Sequence, residues 1–339
     1  MQSELADFRY CEPKAWGAKG LRQAIRSTPH DVMILNGFFD REFTIPALLM
    51  RRLGLIPRRP TILSPRGEFS AGAAAIAKVH KQLYLTLTRR LGLLDDVCLH
   101  ATGADEAGDI RRHCPWAKKI IVAPNIRMLG ADRPQQPMEG VSGRPLRLVF
   151  LSRIDRKKNL HYALKVLHAA GFPVEFDIYG PISDAPYWRS CQSIIANLPA
   201  NIAVQYHGVI PNIDVPETLA RYDAFFLPTA GENFGHAIFD ALAAGLPVLI
   251  SDQTPWRNLE KQRAGWSLPL DNADAFAQAL LTLRAMNADQ RRALTHGARG
   301  LAERSILEND AVSRSRDMLK SAMLNRKDRS SARGAGDGA

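Results

Sequence analysis

Short apolar runs of three to six residues alternate along the chain with longer stretches of helical spacing. That is the pattern of parallel α/β architecture. In the first half the pattern predicts strands at Val32–Leu35, Thr61–Leu63, Val97–Leu99 and Ile120–Val122. Helices are predicted at Thr44–Leu53, Ala74–Leu91 and Asp105–Arg112. Residues 131–144 are rich in Pro, Gly and Gln, lack an apolar period and read as a linker. The second half opens on Leu146–Leu151, a buried-strand run with Arg147 as its one polar member. A helix near Leu160–Ala170 follows, with strands at Val174–Tyr179, Val204–His207, Ala224–Leu227 and Val248–Ile250. A long helical region runs from Ala273 to about Leu324, and the Arg/Ser/Gly-rich residues 325–339 read as a disordered basic tail. The domain expectation is thus 1–130, a linker at 131–144, a second domain at 145–324, and the tail.

Composition narrows this picture. With 339 residues, 46% of them apolar, the chain can build two ordinary cores. No apolar run approaches the ~20 residues of a membrane-spanning helix. The acidic start, Met1 to Asp7, lacks the apolar core of a signal peptide. Cys11, Cys98, Cys114 and Cys191 are scattered and form no CxxC pair, which favours free thiols and a reducing compartment over a zinc site. The net charge of +11 suits a phosphate-rich substrate, an anionic membrane or nucleic acid. The pairs Arg51-Arg52, Arg58-Arg59, Arg89-Arg90 and Arg111-Arg112 have no interleaved aromatic platform, so no nucleic-acid partner is expected. Solvated helix faces remain the alternative reading for each pair.

The stretch from Pro228 to Val248 carries the most chemistry. An apolar strand runs into a Gly-bearing loop with Glu232, and the loop opens a short helix carrying Asp240. Two acids thus lie beside a helix N-terminus, where N–H groups and the helix dipole favour an anion. A phosphate can sit there, next to hydroxyls that donate to the carboxylates. A second constellation, Ser152-Arg153-Ile154-Asp155-Arg156-Lys157-Lys158, puts cations after the first strand of the second domain and before its helix.

Together these stretches resemble retaining glycosyltransferase family 4, nucleotide-sugar enzymes of the GT-B fold. The family carries a Glu, seven residues, then a second Glu; here the second acid is Asp240, one methylene shorter. The family's Gly-Arg, four residues, Lys is matched by Ser152, Arg153 and Lys158, with Ser where many relatives have Gly. The resemblance covers about Asp31 to Leu319. It implies two Rossmann-like α/β domains facing a central cleft, with the N-terminal one shortened, because no strand and Gly-rich loop are found before Pro29.

Position by position, the resemblance implies that Arg153 and Lys158 hold the donor diphosphate and that Glu232 faces the donor sugar or the reaction centre. Asp240 would accept from the ribose hydroxyls. Asn233, Phe234, Gly235 and His236 would surround the donor sugar and its phosphate, and Gly180 would lie in a turn near the nucleotide. His236 and Asp240 share a helix face, so a purely structural pairing between them stays open. In the first domain, Arg66 and Gly67 would meet a donor or acceptor phosphate. His100 and Asn36 would line the acceptor side, with a buried structural His as the equal alternative. Thr102 with Asp105 reads as an N-cap, and Trp256 as a packed aromatic or a pocket wall.

The implied activity is retaining, metal-independent transfer of a sugar from a nucleoside-diphosphate sugar, with no cofactor. The acceptor would be a hydroxyl of a saccharide or a lipid-diphosphate-linked saccharide, in surface polysaccharide biosynthesis. Localisation would be cytoplasmic, with docking on an anionic inner membrane face. The alternative is a non-catalytic GT-B protein that binds a nucleotide sugar or a partner glycosyltransferase.

Overall fold

The computed structural model describes residues 13–69, 78–127 and 143–324, which fall into two compact units. The first unit comprises residues 1–126 with 311–339, and the second comprises 127–310. The expected linker, except its last two residues, and the expected basic tail lie outside the described residues.

The first unit runs α1 (Pro13–Ser27, broken at Gly17), β1 (Met33–Asn36), α2 (Thr44–Arg52), β2 (Thr61–Ser64), α3 (Lys78–Arg90), β3 (Val97–Ala101), α4 (Ala104–His113) and β4 (Lys119–Val122). Its four strands pair in parallel in the order β1-β2-β3-β4. Every residue of β2 and β3 is buried, as in a parallel sheet covered on both faces.

The second unit runs β5 (Leu146–Leu151), α5 (Leu160–His168), β6 (Val174–Tyr179), α6 (Ala185–Ile195), β7 (Ile202–Gly208), α7 (Val215–Leu219), β8 (Ala224–Leu227), α8 (His236–Ala243), β9 (Val248–Ser251), β10 (Gly265–Leu268), α9 (Ala273–Ala285) and α10 (Ala288–Asn309). The six strands pair in parallel in the order β10-β9-β8-β5-β6-β7. The order reverses between β5 and β8. In such doubly wound sheets, ligands bind in the crevice where the carboxyl ends of those two strands diverge.

A last helix, α11 (Ala311–Leu324), returns to the first unit. Met318 and Ala322 join Ile62, Cys98 and Ala123 in a small core, and the Lys119 ammonium donates to the Ser321 carbonyl at 2.7 Å. The expectation of one domain over 145–324 therefore gives way: residues 311–324 bury their apolar side on the first sheet. The expected single helical region is three helices. Asn287 and Gln290 form a reciprocal capping box that starts α10, and Asp310, at φ 40°, ends it.

The sequence reading missed α1, α6, α7 and β10. For α6 a signal was present: Asp184 accepts from the Tyr187 N–H at 2.9 Å, with Pro186 in the first turn. Thr102 is no N-cap. That position is Gly103, and Thr102 instead donates its backbone N–H and its hydroxyl to Glu106 at 2.8 and 2.7 Å. Cys98, Cys114 and Cys191 are buried free thiols, whose burial pushes their pKa up to about 11, 12 and 12.

One ion network sits inside the second unit. Asp223, at the entry to β8, pairs with Arg291 at 3.1 Å and with Arg144 at 2.7 Å, and accepts from the Arg147 N–H at 2.8 Å. Arg291 is fully buried, and its guanidinium also donates to the Leu283 carbonyl at 2.6 Å. The network joins β5, β8, α9 and α10. Removing Asp223 strands a buried cation, and breaking a buried pair in this way costs about 3–5 kcal/mol. Asp223→Ala is therefore expected to lower the urea midpoint by that equivalent, whereas Arg144→Ala, at the partly exposed end of the network, is expected to cost less. Comparable midpoints for the two variants would contradict this.

Candidate functional site

The loops leaving β5 and β8 are tied together by main-chain bonds. The Lys157 carbonyl accepts from the Ala230 N–H at 2.7 Å and from the Thr229 hydroxyl at 3.1 Å. Asn159, in the left-handed region at φ 59°, donates its side-chain amide to the Pro228 carbonyl at 3.0 Å. Asn tolerates that conformation better than most residues. On the other side, the Glu232 N–H donates to the Gln253 carbonyl at 3.0 Å, and the Ser251 hydroxyl donates to the Thr229 carbonyl at 2.5 Å. The loop carrying Glu232 is thus held from both flanks, at the point where the strand order reverses.

This scaffold brings two of the sequence-derived candidates together. The Lys158 ammonium donates to the Glu232 carboxylate at 2.5 Å, and both side chains are largely buried. Asp155 accepts from the Lys158 N–H at 3.0 Å, fixing the turn into α5. Lys157 lies beside this pair. Burial depresses its pKa, Glu232 opposes that shift, and Lys158 and Arg153 reinforce it. Arg153 is not part of the pair: its exposed guanidinium reaches Asp155 at 3.5 Å.

Asp240, on α8, has a partner that the sequence did not offer. Arg127 approaches it at 3.4 Å, with its guanidinium over the rings of Phe234 and Phe239 at 5.9 and 5.6 Å. Burial raises the Asp240 pKa, and Arg127 pulls it back only in part. His236, exposed at the start of α8, packs against Phe234 with ring centroids 5.0 Å apart. The Asn233 side-chain amide is buried with no hydrogen-bond partner among the described residues. Gly235 begins α8 at φ 77°; a Cβ there would come within 2.8 Å of Ile238 and 3.3 Å of the Trp256 indole nitrogen. Trp256 is a buried wall whose indole N–H donates to the Phe234 carbonyl at 2.6 Å.

Gly180, expected at the nucleotide, has a sufficient reason within the fold. At φ 130°, a Cβ would lie 2.0 Å from the Ser152 carbonyl oxygen. The Ser152 N–H donates to the Tyr179 carbonyl at 3.0 Å, so Gly180 lets the ends of β5 and β6 come together.

The first unit has its own cluster, at the carboxyl ends of β1 to β4. Arg66, at φ 54°, donates to the Asn36 side chain at 2.9 Å and to the Asn125 side chain at 2.6 Å. His100 meets the Ser64 hydroxyl at 2.7 Å through Nδ1 and the Ala123 carbonyl at 2.7 Å through Nε2. Burial lowers its pKa, so a neutral imidazole is favoured. His100 is a satisfied core histidine, which is the structural alternative raised for it. The Gly67 N–H donates to buried Glu106 at 2.7 Å, and Glu68 accepts from the Phe38 and Phe39 N–H groups. Desolvation raises the Glu68 pKa, and those two donors counter it. Arg66 and Asn36 converge. Asn125, Glu106, Arg127 and Asn159 were missed, because single polar residues in loops leave no periodic trace.

Residues 133–300, the stretch that carries the paired loops, match the family model described as glycosyl transferases group 1. This stretch is a glycosyl transferases group 1 domain. WcaL of Escherichia coli (strain K12), whose name provisionally assigns it to colanic acid biosynthesis as a glycosyltransferase, is 27% identical over 169 residues, covering 47% of this chain and 41% of WcaL. The Salmonella typhimurium WcaL is 28% identical over 188 residues, 52% of this chain and 44% of that protein. The chain thus matches less than half the length of these relatives. Among solved structures, Anabaena HepE in complex with UDP and glucose superposes with a TM-score of 0.67 at 15% identity, covering 90% of this chain and 80% of that one. The pneumococcal O-GlcNAc transferase GtfA, in complex with UDP and GlcNAc, gives 0.63 at 16% identity, covering 90% and 60%. These likenesses establish the GT-B type of α/β fold with parallel sheets.

Within the group 1 domain, Gly180 is a sharp test of the backbone argument. Gly180→Ala puts a methyl group into the Ser152 carbonyl in a conformation that L residues rarely adopt. The expected outcome is a loss of at least about 2 kcal/mol by denaturant unfolding. Gly171→Ala, at an open loop position, is expected to change stability little.

Proposed function

We propose that this chain is a retaining, metal-independent glycosyltransferase that moves a sugar from a nucleoside-diphosphate sugar to a hydroxyl of a saccharide or lipid-diphosphate-linked saccharide, in surface polysaccharide assembly. The observation that carries the proposal is the Lys158–Glu232 pair, held where β5 and β8 diverge inside a glycosyl transferases group 1 domain. The neighbours solved with UDP and a sugar support a UDP-linked donor as the first to test. The name of WcaL supports a polysaccharide context. Peripheral attachment to an anionic inner membrane face belongs to the same proposal; among the described residues no helix is long and apolar enough to cross a membrane.

In this mechanism the donor diphosphate meets Lys158, Lys157 and Arg153, whose fixed charges stabilise the negative charge that builds up as the nucleotide leaves. Arg153 can fork onto a phosphate, while each Lys supplies a point charge. Glu232 orients the donor sugar and does not attack it. The bond from the anomeric carbon to the phosphate oxygen breaks as the acceptor oxygen bonds to the same face of that carbon. The acceptor proton passes to the departing phosphate. Asp240 accepts from the ribose hydroxyls once they displace Arg127, and Arg66 serves as a phosphate contact of the acceptor domain.

The test is a donor screen that follows thermal stabilisation and nucleoside-diphosphate release across UDP-, GDP- and ADP-sugars. One donor is expected both to stabilise the protein and to be turned over. Lys158→Ala and Glu232→Gln are each expected to lower kcat/KM about 10²–10³-fold, and EDTA is expected to leave the rate unchanged. Stabilisation without release, with lipid-linked acceptors present, would overturn transfer and leave the binding-only alternative.

The Asp240 shift gives a pH signature. Its pKa is raised, so on acidification the carboxylate is protonated before an ordinary Asp near 3.9 would be. Nucleotide affinity is expected to be full above that raised value and to fall as the pH drops through it, by isothermal titration. Asp240→Asn is expected to flatten the acid limb, and an unaltered limb in that variant would remove Asp240 from the nucleotide site.

A further inference from the structure

Helix α3 carries a feature that sugar transfer does not use. Its inner side is formed by Tyr84, Leu85 and Thr88, with Leu85 and Thr88 buried. Val79, Leu83 and Leu87 point the other way, and their side chains are 79%, 61% and 45% exposed. The spacing of four residues lines them along one helix face, so they form a ridge and are not scattered. Just past the helix, Leu91 is also exposed, and its carbonyl accepts from the Arg52 guanidinium at 2.8 Å. That bond sets the end of α2, with Leu53 70% exposed, beside the end of α3.

The charge around this ridge is mainly positive, with Asp95 and Asp109 as the acids nearby. From Lys78 to Leu91 the sequence contains no acid, and Lys81, Arg89 and Arg90 are present. Arg52 and Arg58 adjoin, the latter donating to the Arg51 and Arg52 carbonyls at 3.5 and 3.4 Å. On the flank toward α4 is an open pocket lined by Thr86, Arg89, Arg90, Arg112, His113 and Trp116. Arg89 lies over the Trp116 ring at 5.7 Å, and the Trp116 indole N–H is buried with no partner among the described residues. Arg112 pairs with Asp109, whereas neither Arg89 nor Arg90 meets a carboxylate among the described residues.

We propose that this face of the first unit docks on an anionic phospholipid bilayer. Val79, Leu83, Leu87 and Leu53 enter the boundary between headgroups and acyl chains, and the Arg89–Arg90–Trp116 pocket receives lipid phosphate. An apolar ridge alone would suit any protein surface. A helix without acids, in a mainly cationic rim that holds a buried, unpaired indole donor, matches a layer that is apolar in depth and anionic at its surface. The proposal names the residues of the membrane attachment suggested above and does not depend on the transfer chemistry.

The test is co-sedimentation of the full chain with phosphatidylcholine vesicles and with vesicles containing phosphatidylglycerol. Wild-type protein is expected to bind the anionic vesicles, to release at high salt and to leave neutral vesicles unbound. Leu83→Asp/Leu87→Asp is expected to abolish binding. Arg89→Ala/Arg90→Ala is expected to weaken it roughly tenfold to thirtyfold, as two surface charges imply. Leu307→Asp, an equally exposed position on α10, is expected to change nothing. All variants change outward side chains, so unchanged melting temperatures certify their folds. Absence of wild-type binding, or equal binding by the ridge and arginine variants, overturns the proposal. So does a wild-type dimer that Leu83→Asp converts to monomer without lipid, since the ridge would then be a protein interface. A donor screen that fails while vesicle binding holds would remove the transferase reading and leave this one intact.

Discussion

One acceptor, the Lys157 carbonyl, ties together the two loops that carry the Lys158–Glu232 pair. It takes hydrogen bonds from the Ala230 N–H and the Thr229 hydroxyl, and so joins the loop after β5 to the loop after β8 where the sheet's winding reverses. Parallel strands that wind in opposite directions leave a gap at their carboxyl ends. Left alone, two loops across that gap would move independently. With the carbonyl bridged, the side chains on either side of it inherit a fixed separation. Lys158 follows Lys157 and Glu232 follows Ala230 by two, so the bridged backbone brings together the two side chains that meet at 2.5 Å.

The sequence made this arrangement legible in part. Apolar runs such as Ala224–Leu227, and Leu146–Leu151 with Arg147 as its one polar member, announced central parallel strands, because both faces of such strands are largely buried. Once those strands were placed, the acids and cations following them had to lie at the same sheet edge. What could not be read was which charges meet. Lys158 reaches Glu232, whereas Arg153 turns outward to Asp155, and the difference is set by the turn that Asp155 and Asn159 impose. Arg127 was invisible for a different reason. It lies in an irregular segment 113 residues before Asp240, and no local pattern records a contact of that span.

Small polar residues were the hardest class to assign. His100 and Thr102 both follow buried β-strand residues, and in one dimension the first suggests the acceptor side and the second an N-cap. The structure gives each a full set of internal partners, Ser64 and Ala123 for the histidine and Glu106 for the threonine. Buried polar groups are ordinarily paired, so the informative atoms are those left over, such as the Asn233 amide and the Trp116 indole. Such atoms can be identified only after the chain has folded and its pairings can be counted.

The return of α11 to the first sheet makes that unit discontinuous in sequence. During synthesis its four strands leave the ribosome early, while the helix contributing Met318 and Ala322 to the Ile62–Cys98–Ala123 surface comes about two hundred residues later. At about 5–20 residues per second, that face of the sheet would wait on the order of ten seconds or more for its cover. The second unit, continuous from 127 to 310, can close its core in that interval. The order of maturation therefore runs against the order of the chain, and the unit translated first is completed last.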